Sequence, residues 1–149
     1  MKNSISQLDQ AYEICRKETQ EWAKTFYLGT LLLPLEKRKA IWAIYVWCRR
    51  TDEIMDSVEA STKSQVELSD NLDAWEENTK NVFKGNIKSE LDSVLLDTIE
   101  KYPQSIQPYL DMIDGQRMDL NKFRYKDFDE LKLYCYRVAG TVGLMTQNV

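Results

Sequence analysis

One stretch of this sequence, residues 40–48, constrains the fold more than any other because it is apolar on every face of a helix. The surrounding pattern predicts a helix from Leu35 to about Val58. Such a helix cannot lie at a surface, and it needs packed neighbours all around it. With only 5 glycines and 3 prolines, the chain suits long helices better than a loop-rich β-sandwich. We therefore predict an all-α fold, a helical bundle in which this helix is buried.

Apolar residues at intervals of three and four positions predict the other helices. The first stripe runs from Ile5 to Phe26 as one sustained helix, and Pro34 marks a break because the residue before a proline avoids the helical region. Gly85 and Pro103 are expected to end two later helices. The remaining stripes predict helices over about 68–83, 91–102, 108–120 and 131–145. A polar loop at 60–64 precedes the first of these helices, and a capping box at 127–130 precedes the last.

The composition excludes several kinds of active site. Histidine is absent from all 149 residues, which excludes Ser-His-Asp and Cys-His nucleophilic sites, histidine-ligated zinc and histidine general bases. Any catalysis must therefore use carboxylates, arginine, tyrosine or a metal held by oxygen ligands. The net charge of −4 implies no broad basic surface, so we expect no nucleic-acid partner. An anionic substrate would need local arginines or a bridging cation.

The three cysteines are predicted to be structural. Cys15, Cys48 and Cys135 lie far apart among apolar residues, which favours small core residues in a reducing cytosol over disulfides or a metal site. We recognise no secretory or transit segment at the start of the chain. The longest apolar run is also far shorter than a membrane span.

Two aspartates at the end of the buried helix are candidate metal ligands. Asp52 and Asp56 are four positions apart, so their carboxylates share one helix face, with Cβ atoms about 5–6 Å apart. A divalent cation would relieve the repulsion between them, and oxygen ligands together with substrate phosphates suit magnesium. Such pairs are frequent on solvated helix faces, so the spacing alone is weak evidence. Arg49, three positions before Asp52, adds a guanidinium that suits a diphosphate.

Aromatic residues are numerous, and core packing explains most of them. We assign the four tryptophans, Trp22, Trp42, Trp47 and Trp75, to the core. Phe26, Tyr45 and Tyr134 are instead candidates to line a cavity near the aspartates. Aromatic faces stabilise cations by about 2 kcal/mol each when desolvated, which would suit a prenyl carbocation in an apolar pocket.

Two glycines are unexpected inside the last predicted helix. Residues 139–143 include Gly140 and Gly143, each of which costs about 0.8–1 kcal/mol relative to alanine in a helix. Close packing against another helix would explain them. A floor against which a long isoprenoid chain lies would explain them equally well.

Four segments together resemble the signatures of phytoene synthases, of the cyanobacterial and plant type, in the squalene/phytoene synthase family. They are residues 23–30, 40–53, 111–120 and 134–145, and they occur in the family's order. The resemblance implies an isoprenoid-synthase-like all-α prenyltransferase fold, in which two aspartate-rich helices hold magnesium or manganese against diphosphate across a central cavity. Asp52 and Asp56 match the first aspartate-rich motif, and Arg49 matches the diphosphate-binding arginine.

The resemblance also implies a substrate site and a reaction. Its substrate-binding positions match Thr25, Phe26, Tyr27, Tyr45, Arg49, Tyr134, Ala139, Val142 and Gly143. The implied reaction joins two geranylgeranyl diphosphates head to head to phytoene through a cyclopropyl diphosphate. It opens carotenoid biosynthesis and needs no nicotinamide. A lipid substrate and product imply an enzyme in the cytoplasm at the membrane periphery, or in the plastid of a eukaryote.

The chain is expected to be part of a larger protein. It reaches residue 149 without a helix stop signal and lacks the family's second aspartate-rich motif. We therefore expect residues 1–149 to be the amino-terminal half of one synthase domain, inactive by itself. Alternatives are a squalene synthase or another head-to-head prenyl synthase, a non-catalytic relative such as the respiratory-complex assembly proteins, and a helical interaction module with solvated aspartates. The non-catalytic relatives tend to lose the acidic motif, whereas Asp52 and Asp56 are intact here.

Overall fold

A computed structural model describes the backbone of residues 2–121, and within this part every regular element is helical. The elements are α1 (Lys2–Trp22), α2 (Lys24–Thr30), α3 (Leu35–Asp56), a 3-10 turn (Glu59–Thr62), α4 (Gln65–Phe83), α5 (Glu90–Lys101) and α6 (Gln107–Asn121). The all-α prediction is confirmed. The 3-10 turn replaces part of the polar loop predicted at 60–64, because Ala60 is buried and draws the chain into a turn. The helix predicted over 131–145 lies outside the described residues.

Helix α3 is central, as its sequence predicts. It contacts α1, α4, α5 and α6, and its residues from Ala40 to Ile44 are all buried. One face of α3 places Ile44 and Trp47 in a core formed with α4, α5 and α6. Another face places Trp42 and Val46 in a second core formed with α1, α2 and α5. A helix that enters two cores must be apolar on several faces, which explains residues 40–48.

The first predicted helix is interrupted at Ala23, so the prediction of one helix through Phe26 is wrong. Ala23 has φ −145° and ψ 65°, and the chain starts again as α2. Its N–H still bonds to the Thr19 carbonyl at 2.9 Å, and its own carbonyl accepts from the Tyr27 N–H at 2.8 Å. Both helix ends are thus satisfied across the break. The kink changes which side of the chain is buried, so that Tyr27 enters the core.

Local signals mark the ends of α4 and α5, although α4 begins at Gln65, before the predicted residue 68, and α3 ends at Asp56, before the predicted Val58. Ser64 and Ser89 cap α4 and α5. The side chain of each serine accepts a hydrogen bond from the backbone N–H three residues later. The Asp92 carboxylate also accepts a hydrogen bond from the Lys88 N–H, one residue before the cap, at 3.0 Å. Gly85 follows α4 with φ +93°, a conformation that side chains disfavour. The carboxyl-terminal end of α3 lies beside α6.

Candidate functional site

A cavity of about 500 Å³ opens at the carboxyl-terminal end of α3. It is lined by Trp22, Arg49, Asp52, Glu53, Asp56, Ser57, Val58 and Glu59. The structure therefore brings Arg49, Asp52 and Asp56 to one cavity, as their spacing on a helix indicates. Asp52 is half-buried and Asp56, the last residue of α3, is exposed. The two carboxylates thus lie at the mouth of the bundle rather than within its core.

Arg49 is held on two sides. Its guanidinium carbon lies 3.6 Å from the centre of the Trp22 ring. Its Nη2 forms an ion pair with Glu53 at 3.1 Å, and its Nε lies 3.5 Å from Glu18. These contacts fix a cation at the wall of the cavity before any anion arrives. A fixed guanidinium binds phosphate oxygens with less loss of side-chain entropy.

Glu18, on the neighbouring helix α1, forms ion pairs with two arginines of α3. One carboxylate oxygen faces Arg49, and the other accepts from Arg50 Nη2 at 3.0 Å. Burial raises the pKa of Glu18 above its usual range, and the charge of Arg50 partly opposes this effect. Glu53 pairs with Arg50 as well, at 3.5 Å. Glu18 and Glu53 balance the two arginines, and the cavity carries three further carboxylates, Asp52, Asp56 and Glu59. This excess of negative charge suits a divalent cation.

Trp22 belongs to this site and not to the core, so its assignment to the core is wrong. Its side chain is 57% exposed, whereas Trp42 and Trp47 are buried. The reason is the break at Ala23, which ends α1 at Trp22 and leaves the indole beside Arg49. Trp75 is half-buried and stacks on Trp47 with ring centres 6.0 Å apart.

Phe26 and Tyr45 lie together at a second cavity edge. Their ring centres are 5.6 Å apart. Phe26 lines a cavity of about 320 Å³ with Gly29, Thr30, Leu33 and Ile41, and neither ring lines the aspartate cavity. Burial raises the pKa of the Tyr45 hydroxyl, which keeps it protonated. The pair therefore offers aromatic surface next to, but outside, the aspartate cavity.

The other predicted substrate positions divide into two groups. Thr25 is exposed on α2, whereas Tyr27 is buried and stacks on Trp42 with ring centres 5.7 Å apart. Tyr27 therefore supports the core, although its hydroxyl reaches Arg16 at 3.3 Å. The predicted positions Tyr134, Ala139, Val142 and Gly143 lie outside the described residues, as does Cys135.

The chain is similar to a known family over most of its length. A family model described as squalene/phytoene synthase matches residues 19–149. The chain belongs to the squalene/phytoene synthase family. This match includes both aspartates, Arg49 and Trp22, and it confirms the resemblance seen in the sequence.

Curated relatives in this family are close in sequence. The chain is 56% identical to the 15-cis-phytoene synthase of Synechocystis sp. over 142 residues, which cover 95% of this chain and 41% of that protein. It is 54% identical to chloroplastic phytoene synthase 1 of Arabidopsis thaliana over 149 residues, 100% of this chain and 34% of that protein. The chain thus spans less than half the length of these relatives.

Solved structures of the family confirm the fold. A crystal structure of a dehydrosqualene synthase in complex with ligand superposes with a TM-score of 0.82 at 26% identity, covering 96% of this chain and 48% of that one. The squalene synthase of Alicyclobacillus acidocaldarius gives a TM-score of 0.77 at 27% identity, over 91% of this chain and 49% of that one. The predicted isoprenoid-synthase-like helical fold is therefore correct.

The residues present fit part of a magnesium site. Within residues 2–121, no three acidic, cysteine or histidine side chains are grouped closely enough to hold a metal ion. Asp52 and Asp56 nevertheless place two carboxylates at one cavity. Magnesium in a protein often takes only one or two carboxylates, with water and substrate phosphates completing its shell. The donors are all hard oxygens, which matches this ion.

Sequence reasoning missed three residues at or beside the site: Glu18, Trp22 and Gln116. Each comes from a helix other than α3, so no spacing rule within α3 could find them. Trp22 carried no signal of its exposure, since the first stripe continues through Phe26 and places Trp22 inside the predicted helix. Within the described residues, no helix combines the length and apolar character needed to cross a bilayer.

Proposed function

We propose that the protein containing this chain condenses two geranylgeranyl diphosphates head to head to phytoene. The observation that carries this proposal is the convergence of Arg49, Asp52 and Asp56 on one cavity. Identity of 56% to a 15-cis-phytoene synthase supports the product. We also infer that the chain supplies the amino-terminal half of a single synthase domain, because it matches less than half of its curated relatives' length.

Three cavity residues bind the ion and the diphosphate in this proposal. Asp52 and Asp56 would hold magnesium, or manganese in its place, through their carboxylate oxygens. The ion, when bound, neutralises charge on the departing diphosphate. Arg49 binds the diphosphate beside the ion and can leave Glu53 for phosphate oxygens, because the Arg49–Glu53 pair is partly exposed and weak. Trp22 and Glu18 keep the guanidinium at the wall during that exchange.

The prenyl chains need an apolar surface with aromatic faces. Phe26 and Tyr45 provide two adjoining rings beside the second cavity. Loss of diphosphate leaves an allylic cation, and the double bond of the second substrate attacks it to give a new carbocation. Loss of a proton then closes the ring and gives a cyclopropyl diphosphate. Ring faces stabilise such cations when water is excluded. A second ionisation, rearrangement and proton loss then give phytoene, so no nicotinamide is consumed.

Two other functions are weaker. A squalene-type or dehydrosqualene-type synthase has the same fold, but the solved examples are only 26% and 27% identical to this chain. A non-catalytic relative has no use for two carboxylates and an arginine in one cavity. The sequence and the cavity therefore favour phytoene.

The setting of the protein is also a proposal. A lipid product favours contact with a membrane surface, at the periphery rather than across the bilayer. We propose the cytoplasm as its compartment, or the plastid if the source is a eukaryote. Nucleic acid is not an expected partner at a net charge of −4.

The test is product analysis with the full-length protein. Geranylgeranyl diphosphate and magnesium, without nicotinamide, should give phytoene that is identified by its absorption spectrum and mass. Farnesyl diphosphate with reduced nicotinamide is the parallel reaction. Phytoene from the first mixture supports the proposal. Squalene from the second mixture alone would assign the protein to the squalene branch.

A further inference from the structure

One buried residue of α6 touches the proposed metal ligand Asp52. Gln116 is 1% exposed, and its Nε2 donates a hydrogen bond to Asp52 Oδ1 at 3.2 Å. The bond ties α6 to α3, across 64 positions of the chain. It engages Oδ1, so that the second oxygen, Oδ2, is the one to offer to a cation. Gln116 thus sets which way the carboxylate faces.

The chemistry of the two groups fixes the orientation of the amide. An ionised carboxylate only accepts hydrogen bonds, so the NH₂ of Gln116 must face Asp52. Its Oε1 is then buried, and it accepts no hydrogen bond from the residues that the structure describes. A buried acceptor without a donor destabilises a fold. A methionine would fill nearly the same volume without that cost, so packing does not account for the glutamine.

We propose that Gln116 is a positioning residue that orients Asp52 for a divalent cation. It acts through the Asp52 carboxylate and touches neither substrate nor ion in this account. Partners of this kind orient metal ligands, and their loss commonly weakens metal binding about 10-fold or more. The inference rests on the proposed function, because it takes Asp52 as a metal ligand. It adds a contribution from α6 to a site whose predicted ligands all lie on α3.

The chain offers a matched control in Gln104. Like Gln116, it has one amide atom that is hydrogen-bonded and one buried amide atom that has no partner among the described residues. Oε1 of Gln104 accepts from the Tyr109 hydroxyl at 2.7 Å, and Nε2 is the atom without a partner. Gln104 does not line the aspartate cavity. Gln104→Met therefore reports what loss of a buried amide does to the fold alone.

The experiment measures Mn²⁺ binding and thermal melting for full-length variants. Free Mn²⁺ is followed by electron paramagnetic resonance, and no turnover is required. Gln116→Met is made alone and together with Asp52→Asn, beside Gln104→Met and Asp52→Asn. We expect Gln116→Met to weaken Mn²⁺ binding about 10-fold with an unchanged or higher melting temperature. We expect no further weakening when Asp52→Asn is already present, and unchanged Mn²⁺ binding by Gln104→Met.

Three results would overturn the inference: unchanged Mn²⁺ binding by Gln116→Met, the same weakening in the Asp52→Asn background, or weakening matched by a large drop in melting temperature. These results leave the proposed function standing as long as Asp52→Asn itself weakens Mn²⁺ binding. If Asp52→Asn binds Mn²⁺ as tightly as the parent protein, the metal assignment fails, and the role of Gln116 fails with it.

Discussion

The guanidinium of Arg49 lies over the indole of Trp22, with 3.6 Å between the guanidinium carbon and the ring centre. The two residues come from different helices, and the contact exists because α1 ends at Trp22. A cation on a tryptophan face gains about 0.5–1 kcal/mol when exposed and about 2 kcal/mol when desolvated. The stack therefore holds the proposed diphosphate-binding cation in place.

Removal of the indole should weaken diphosphate binding and leave the fold intact. Trp22→Ala in the full-length protein is expected to raise KM for the prenyl diphosphate about 2-fold to 5-fold, which corresponds to about 0.5–1 kcal/mol, the value of an exposed contact. Because Trp22 is 57% exposed, the melting temperature should change little. Steady-state kinetics and thermal melting together check this prediction.

Trp22→Phe is the matched variant, since it keeps an aromatic face for Arg49. It should retain most of the affinity that Trp22→Ala loses. Equal losses in the two variants would contradict a role for the aromatic face. A large drop in melting temperature for Trp22→Ala would instead show that Trp22 stabilises the core.

A second prediction concerns the buried hydrogen bond from Trp42 to Thr30. Trp42 Nε1 donates to Thr30 Oγ1 at 2.8 Å, and both residues are buried. Thr30→Val keeps the shape but leaves the indole N–H without its acceptor, which should lower the free energy of unfolding by about 1–3 kcal/mol. Thr25→Val on the exposed side of α2 is the control and should change stability by less than about 0.5 kcal/mol. Similar values for the two variants in denaturant unfolding would show that the buried bond contributes little.

A third prediction concerns the pH dependence of the contact between α4 and α6. Arg117 donates to Glu76 at 2.8 Å, and this hydrogen bond holds the pKa of Glu76 below its usual range. A carboxyl with a lower pKa in the folded than in the unfolded protein stabilises the fold above the unfolded pKa, about 4.3, and loses that contribution as pH falls through the folded pKa. Arg117→Met should therefore lower the melting temperature at pH 7. The difference from the parent protein should shrink below about pH 4.

The size of this effect is limited because both side chains are partly exposed, and about 1 kcal/mol is the upper range for such a pair. Lys80→Met is the control: Lys80 contacts Glu76 within the same helix at 3.0 Å, and such pairs contribute about 0.3–0.5 kcal/mol. Arg117 also pairs with Asp73 at 2.9 Å and with Asp114 at 2.8 Å. A difference for Arg117→Met that stays constant from pH 7 to pH 3 would contradict a contribution from these carboxylates and from Glu76.

Much of the fold could be predicted because local signals dominate its helices. The apolar faces of α3 require burial, and Gly85 and Pro103 stop helices by backbone geometry that no distant contact needs to support. The break at Ala23 carries no such signal, since alanine favours helices. It follows from packing, because Tyr27 reaches Trp42 only after the chain turns. Tertiary contacts therefore break the helix at Ala23, although the local pattern favours one continuous helix.

The site was predictable only where its residues share a helix. Arg49, Asp52 and Asp56 meet because positions three and four apart on a helix are neighbours. Gln116 reaches Asp52 from 64 positions away, and Glu18 reaches Arg49 from another helix. Contacts of this kind depend on how α1, α3 and α6 pack, which no periodicity encodes. Partner residues from other helices are therefore the part that a sequence alone leaves out.

The account depends most on the two aspartates of α3, and their conversion to asparagine tests it most directly. Phytoene formation from geranylgeranyl diphosphate is measured in the full-length protein for Asp52→Asn, Asp56→Asn and Asp70→Asn. Asp70 is an exposed aspartate of α4 that does not line the cavity. We predict that either cavity variant loses at least about 100-fold in turnover, since removing a charged stabiliser of the transition state commonly costs that much. Their melting temperatures and the activity of Asp70→Asn should remain those of the parent protein. Near-normal phytoene formation by Asp52→Asn or Asp56→Asn would contradict the proposed metal and diphosphate site.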